Sequence, residues 1–260
     1  MTKNDATDSG DVTAIERIDM DNSQDPLQIA LHQQRYDFAL NLITREDSVL
    51  EIGTGTGGFS NTLAAHCRSY TGLEFDAAAC DATRKRLDGR GMVVQGDAQA
   101  MPFANEAYSV IVCLEVLEHL TDYRKGVREI WRCLKPGGHA IISVPYRRRG
   151  GKSDINPYHL YEPGEEELVG AFRCHFGNVE RWYHYFEETP LMTAARALHL
   201  RRILGLGSMY RDLSLGLPGA VSKIKIGPEK TGYRLGLLIA ASRRKACPEN
   251  VPQASNLAGK

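Results

Sequence analysis

The chain has 260 residues, of which 42% are hydrophobic, and its 32 basic and 32 acidic residues give a formal net charge of zero. This length and composition allow a sizeable hydrophobic core. The balanced charge gives no reason to expect a nucleic-acid partner, and we expect none. No apolar run approaches the roughly 18 residues that a membrane-spanning helix needs. The six cysteines form no C-x-x-C pair, which predicts reduced thiols and a cytoplasmic location.

The composition predicts one domain with a tail at each end. Residues 1–24 are predicted to form a flexible acidic tail, residues 25–242 a single domain, and residues 243–260 a polar tail. Within the domain, residues 187–231 form an insertion before the last strand. Its segment 190–226 carries six Arg or Lys against one acidic residue. We interpret the insertion as a substrate cap, with peripheral contact to an anionic membrane or a lipid-linked substrate as the alternative.

A glycine-rich turn follows the first predicted strand. The apolar run Val49–Ile52 is typical of a buried parallel strand, and helical spacing resumes at Phe59. Between them lie glycines at positions 53, 55, 57 and 58. Glycine allows positive φ and lets a ligand approach bare backbone, while the exposed N–H groups at the helix start favour a polar or anionic ligand group. The sequence therefore predicts a ligand site at this turn.

The turn is compatible with two kinds of ligand. Gly53, Gly55 and Gly58 also satisfy the G-x-G-x-x-G fingerprint of dinucleotide sites. Glu51, two residues before the first glycine, would repel the phosphates that such sites place near the turn. A ligand with a cationic amino group therefore suits the turn better.

Acidic residues follow the later predicted strands. Glu74 ends the second strand, Asp97 follows the third and Glu115 follows the fourth. Strands that alternate with helices imply a parallel sheet with helices on both faces, and ligands of such sheets bind at the carboxyl ends of the strands. Glu74 lies 21 residues after Gly53, where an acid typically binds ribose hydroxyls. We therefore expect these positions to converge on one site.

Five motifs between His32 and Tyr185 carry a family resemblance: E-I-G-T-G-T-G, G-D-A, E-V-L-E-H-L, L-K-P-G-G and N-P-Y-H. They resemble those of the class I S-adenosylmethionine-dependent methyltransferases, and of the type 11 and 12 group in particular. The resemblance implies an α/β fold with a Rossmann-like, mostly parallel seven-stranded sheet, helices on both faces and an antiparallel C-terminal edge strand. It also implies S-adenosylmethionine as cofactor, bound by Arg35, Glu51, Gly53, Gly55, Gly57, Glu74, Asp97, Ala98 and Glu115. Arg35 lies on a helix that covers the cofactor in that family, although a plain packing helix is an equal interpretation.

Two histidines are candidates for the catalytic base. Methyl transfer to an oxygen needs a group that removes a proton, and a neutral imidazole suits that work. His119 closes the E-x-x-E-H motif and His159 lies in N-P-Y-H, although either could be a structural hydrogen-bonding residue. In some members of the resembling family this pattern binds magnesium, which implies a candidate magnesium site at Glu115, Glu118 and His119, with His159 as a further ligand. The same motif is common in methyltransferases without metal, and we predict a site without one.

The predicted activity is methyl transfer to an oxygen of a small-molecule or saccharide-type acceptor. The alternatives are an O-methyltransferase for a quinone or lipid-linked acceptor at a membrane surface, a non-catalytic cofactor-binding protein, and a nicotinamide-dependent oxidoreductase. A response to NADH would distinguish the last of these. The sequence does not specify the acceptor or the oligomeric state.

Overall fold

A computed structural model describes residues 26–153, 156–186, 224–228 and 233–243. The predicted tail at 1–24, nearly all of the predicted insertion and residues 244–260 lie outside these ranges. The elements in chain order are α1 (Pro26–Leu40), β1 (Ser48–Ile52), α2 (Ser60–His66), β2 (Ser69–Glu74), α3 (Ala77–Leu87), β3 (Met92–Gln95), β4 (Tyr108–Leu114), a 3₁₀ turn (Leu117–His119), α4 (Tyr123–Cys133), β5 (Leu134–Pro145), α5 (Glu165–Arg173), β6 (Asn178–Phe186), β7 (Ile224–Gly227) and β8 (Tyr233–Ser242). No helix within these ranges combines the length and apolarity that a bilayer crossing requires.

The described strands form one sheet in the order β3-β2-β1-β4-β5-β8-β6-β7. The first five are parallel, whereas β8 is antiparallel to both of its neighbours and β7 is antiparallel to β6. The predicted mostly parallel sheet with an antiparallel edge is confirmed. The count is eight rather than seven, because residues 224–227, assigned from the sequence to the insertion, form β7 beside β6.

Helices cover both faces of the sheet because each central strand buries both of its faces. Leu50 and Ile111 pack on one face with apolar residues of α4 and α5, whereas Val49 and Val110 pack on the other with residues of α1, α2 and α3. The five residues of β1 are all buried, as expected for a parallel strand between two helical layers. The predicted placement of helices on both faces is confirmed.

The strand register aligns the residues that follow β1, β2 and β4. Ile52 pairs with Leu73 on one side and Cys113 on the other. Gly53, Glu74 and the residues just beyond β4 consequently lie side by side at the carboxyl edge of the sheet. This edge is where open α/β sheets bind their ligands.

Arg243, assigned from the sequence to the polar tail, packs against the domain. Its guanidinium donates to the backbone carbonyls of Trp131 and Leu134 and to Glu106 Oε1, the last at 2.8 Å. It also lies 4.3 Å from the centroid of the Trp131 ring. The domain therefore extends at least one residue beyond the predicted boundary.

We expect Arg243→Met to lower the free energy of unfolding by about 2–3 kcal/mol, because two buried carbonyls lose a charged donor. Chemical denaturation measures the change. The control is Arg128→Met, on the exposed side of α4, which should change stability by less than about 0.5 kcal/mol. Equal losses in the two variants would contradict the anchoring role of Arg243.

Candidate active site

The turn after β1 takes the left-handed conformation at three glycines. The φ angles of Gly53, Gly55 and Gly57 are 74°, 54° and 80°. A Cβ at position 53 would lie 2.4 Å from Val116 Cγ2, so no other residue fits there without movement. The turn is held by Gly53 N, which donates to Leu73 O at 2.7 Å, and by Gly57 N, which donates to Thr54 O at 2.9 Å. Glycine is thus required in this turn both by the backbone conformation and by the lack of space for a side chain, as predicted.

Glu74 holds the middle of this turn. Its Oε2 accepts a hydrogen bond from Gly55 N at 2.9 Å, and its Oε1 accepts one from Asp76 N at 3.1 Å. Glu74 therefore joins β2 to the glycine turn at the point where the sequence predicts a ribose contact.

Glu51 is buried, and its carboxylate accepts three hydroxyl hydrogen bonds. Tyr36 donates to Oε1 at 2.5 Å, Ser60 donates to Oε2 at 2.7 Å, and Tyr70 also donates to Oε2. Burial raises the pKa of Glu51, and the three hydroxyls oppose that rise. The predicted direct contact of Glu51 with a cationic ligand end gains no support from this arrangement, because its oxygens face protein hydroxyls. The carboxylate instead fixes α1 and α2 relative to the strands.

Glu115 lies beyond β4 in a left-handed conformation, with φ of 56°. That conformation is costly for a residue with a side chain and is often found at functional sites. Glu115 Oε1 accepts from Ser143 Oγ at 2.7 Å, and Oε2 lies 3.3 Å from Arg35 Nη2. Arg35 is itself 5% exposed. The structure thus brings together two predicted cofactor residues from α1 and β4.

Asp97 and Ala98 follow β3 at the same edge. Asp97 Oδ1 accepts from Gln99 N at 2.8 Å, which closes a local turn. Ala98 is buried in the core on the α4 side of the sheet. The adenine contact implied by the family resemblance stays a prediction for both residues.

A second group of side chains lies beside this edge. Among the described residues, Glu118, His119 and His159 each place one potential metal-binding atom within 4.8 Å of the others. Glu115, the third residue of the magnesium set that the resemblance implies, is not part of this group. Glu115 has a left-handed backbone and precedes the 3₁₀ turn. The rule that residues three apart on a helix share one face therefore does not apply to Glu115 and Glu118.

The two histidines of this group are oriented by neighbouring acceptors. His119 Nδ1 lies 3.1 Å from the carbonyl oxygen of Tyr158. His159 Nδ1 lies 2.6 Å from Glu162 Oε1, and its Nε2 lies 2.9 Å from Asn156 Nδ2. A carbonyl or carboxylate oxygen only accepts, so in both neutral imidazoles Nδ1 carries the proton and Nε2 the lone pair.

Glu118 is fully buried between these histidines and Glu115. Burial, and then the charge of Glu115, raise the pKa of Glu118 well above its ordinary value, which keeps the carboxyl neutral. Neither of its oxygens has a hydrogen-bond partner. One carboxylate and two imidazoles would suit a borderline transition-metal ion better than magnesium, which prefers oxygen ligands.

Unsatisfied buried atoms gather at the carboxyl edge. In the described part of the chain they are Arg35 Nε, Thr56 Oγ1, both oxygens of Glu118 and His184 Nδ1. Thr56 lies within the glycine turn, and Arg35 contacts Glu115. Buried polar atoms are normally paired, so such a group marks a place where a ligand supplies the partners. Thr56, Arg35 and the left-handed glycines therefore fit a polar cofactor at this edge.

Several of these residues are not evident from the sequence. Tyr70, Ser60 and Ser143 bond to Glu51 or Glu115 from positions that carry no local motif. His184 carried one signal, since it alternates with Trp182 and Phe186 along β6. Tyr36 directly follows Arg35 on α1, the helix that the resemblance already links to the cofactor.

The sequence is similar to known proteins named as methyltransferases. Residues 50–142 match a family model described as a methyltransferase domain. A Mycolicibacterium smegmatis protein named a probable S-adenosylmethionine-dependent methyltransferase is 33% identical over 124 residues, 46% of this chain and 48% of that protein. The demethylmenaquinone methyltransferase of Deinococcus radiodurans is 26% identical over 179 residues, 66% of this chain and 72% of that protein. The chain spans about half the length of the first curated relatives it matches.

A solved structure shares the fold. The N-methyltransferase NodS from Bradyrhizobium japonicum, in complex with S-adenosylhomocysteine, has a TM-score of 0.55 and 18% identity, covering 85% of this chain and 89% of that one. The sheet, the glycine turn and the acids at the strand ends define an α/β domain of the nucleoside-cofactor-binding kind. Residues 50–142 therefore match a methyltransferase domain, and the chain is similar to proteins named S-adenosylmethionine-dependent methyltransferases, in agreement with the predicted resemblance. The predicted fold class is confirmed.

We expect Tyr36→Phe to destabilise the protein by about 1–3 kcal/mol, because the buried Glu51 carboxylate loses one donor. Since Tyr36 ties α1 to β1, the variant should also bind S-adenosylhomocysteine more weakly. Denaturation and calorimetry measure the two effects. The control is Tyr108→Phe, at the start of β4 away from the carboxyl edge. A Tyr36 variant with unchanged affinity would contradict the role of α1 in the site.

We expect Gly57→Ala to abolish cofactor binding and to destabilise the protein more than Gly89→Ala. Both glycines are left-handed, at φ of 80° and 79°, which costs an alanine about 1–2 kcal/mol. Only at position 57 would the new Cβ also lie 2.9 Å from Thr83 Cα, whereas position 89 has nothing within 4 Å. Denaturation and titration with S-adenosylhomocysteine test the pair. Similar behaviour of the two variants would show that steric closure at Thr83 is unimportant.

Proposed function

We propose that the protein transfers a methyl group from S-adenosylmethionine to an oxygen of a small-molecule or saccharide-type acceptor. The observation that supports cofactor use most directly is the left-handed glycine turn bonded to Glu74 at the carboxyl edge of the sheet. The methyltransferase-domain match over residues 50–142 supports the same conclusion.

Each part of the edge has a distinct task in this proposal. S-adenosylmethionine, when bound, supplies a methyl group that its sulfonium already activates. Glu74 would accept hydrogen bonds from the ribose hydroxyls, and Asp97 would accept one from the adenine amino group. Arg35 on α1 and the glycine N–H groups provide donors for the carboxylate end of the cofactor. Glu115, fixed by Ser143 and Arg35, would contact the cofactor from the end of β4.

His119 and His159 are the two candidates for the base in this proposal. The Tyr158 carbonyl accepts from His119 Nδ1 and Glu162 accepts from His159 Nδ1, so in the neutral form of each ring Nε2 is the nitrogen that can take a proton. His159 Nε2 also contacts the amide of Asn156. The two rings lie at 80° to each other with centroids 4.8 Å apart, and we assign proton removal to this pair of histidines.

A quinone or lipid-linked acceptor is the second candidate. It is supported by the demethylmenaquinone methyltransferase of Deinococcus radiodurans, whose match covers 72% of that protein. The basic segment 190–226, almost all of which lies outside the described residues, would then contact the membrane. Co-sedimentation with anionic vesicles that depends on this segment would favour this acceptor class over saccharides.

We expect S-adenosylhomocysteine to bind the wild type with micromolar affinity, and Glu74→Gln to bind it at least about tenfold more weakly, because an amide replaces the acceptor of two ribose hydrogen bonds. Isothermal titration calorimetry measures both. NADH is the control ligand and should give no heat. Absence of S-adenosylhomocysteine binding would refute the proposed function, and binding of NADH would favour an oxidoreductase.

A further inference from the structure

His184 is a buried histidine at the level of the ligand edge. In the sheet register it pairs with Gly236 of β8, which in turn pairs with Pro145 at the end of β5. Its side chain has no exposed surface. The parallel-strand motifs end before β6, so none of them involves this residue. It nevertheless reaches the same edge as Glu115 from the opposite side of β5 and β8.

Gln34 fixes the tautomer of His184. The amide oxygen Oε1 of Gln34 lies 3.0 Å from His184 Nε2. An amide oxygen only accepts hydrogen bonds, so Nε2 carries the proton and Nδ1 carries the lone pair. Burial and then the charge of Arg35 lower the pKa of His184 to about 3, and the ring is neutral at ordinary pH. His184 thus presents a basic nitrogen that has no partner.

Arg35 presents the complementary atom. Its Nη2 contacts Glu115, but its Nε–H has no acceptor although the side chain is buried. Arg35 and His184 meet over Gly236, since a Cβ built there would lie 3.7 Å from Arg35 Nη2 and 3.5 Å from His184 Cβ. The side chains that carry the unpaired donor and the unpaired acceptor therefore lie beside the same glycine. Each is costly to bury alone, which indicates a bound group that satisfies both.

The neighbouring groups define which ligand chemistry fits. His32 also faces Arg35 and His184, and burial with the charge of Arg35 lowers its pKa to about 3. Arg35 is thus the cation of this cluster and Glu115 its counter-ion. A protonated amine would be repelled by the Arg35 charge, and an ionised carboxylate can accept from Arg35 but has no proton to donate to His184 Nδ1. A hydroxyl both donates and accepts.

We propose that His184 and Arg35 form a subsite that binds a hydroxyl group of the acceptor. The hydroxyl donates to His184 Nδ1 and accepts from Arg35 Nε–H. This inference rests on the proposed function and narrows the acceptor class to compounds with a hydroxyl, whether alcohol, sugar or phenol. It assigns His184 a role in recognition that no motif of the chain indicates.

The experiment uses protein with ¹⁵N-labelled histidine, saturated with S-adenosylhomocysteine, and three matched probes. Phenol can donate and accept, anisole is the same ring without the hydroxyl proton, and benzylamine carries an ammonium group that is charged at neutral pH. We expect His184 Nδ1 to be unprotonated at neutral pH and to shift towards its hydrogen-bonded position with phenol alone. A protonated Nδ1, or equal shifts with phenol and anisole, would overturn the proposal. No shift with any probe would show that the two atoms serve only the fold or an ordered water, and would overturn it as well.

Two variants separate recognition from folding. His184→Phe keeps the ring volume, and we expect it to bind S-adenosylhomocysteine normally but phenol about tenfold more weakly or worse. Gln34→Leu leaves His184 in place but removes the group that fixes its tautomer, and should weaken phenol binding without loss of the fold. If neither variant weakens phenol binding, the subsite is wrong. Failure of the wild type to bind S-adenosylhomocysteine would instead refute the proposed function, and the phenol titration of the unliganded chain would still test the subsite.

Discussion

The buried carboxylate of Glu51 is the interaction on which the ligand edge depends. It lies on β1, and its three hydroxyl partners come from α1, α2 and β2. A buried carboxylate without donors would be strongly destabilising, so these elements must adopt one arrangement to satisfy it. The glycine turn leaves β1 two residues later, and its geometry is therefore set by the packing around Glu51. The first acid of the motif acts as a structural centre rather than as an exposed ligand group.

The sheet edge was predictable because its signals are local. Glycines or an acidic residue directly after an apolar run mark the carboxyl end of a strand. In a parallel sheet the carboxyl ends of neighbouring strands lie at the same edge. The predicted strand Val49–Ile52 lies within β1, and Glu74 ends β2 as predicted. The partners of Glu51 were not predictable, since Tyr36 and Tyr70 lie 15 and 19 residues away. In the sequence both residues are typical of tyrosines that pack in a core, and only the fold shows that their hydroxyls bond to Glu51.

The motif E-x-x-E-H shows where sequence spacing fails. Residues three apart share a face only if the backbone is helical between them. Glu115 has positive φ, so its side chain reaches Arg35 and Ser143 while Glu118 turns inward to the histidines. One motif thus supplies two environments: an ion-paired carboxylate beside the cofactor and a neutral carboxyl beside His119. The sequence of the motif does not distinguish the environment of Glu115 from that of Glu118.

The position of β8 inside the sheet has a consequence for the order of folding. The first five strands follow one another along the chain, so the half of the sheet that holds the glycine turn can pair as synthesis proceeds. The strand that joins β5 to β6 is the last one made, and Gly236 reaches His184 only when it inserts. Long-range pairing of this kind is slow compared with local contacts. The half of the site built around Glu51 is therefore complete in the nascent chain before the half that contains His184.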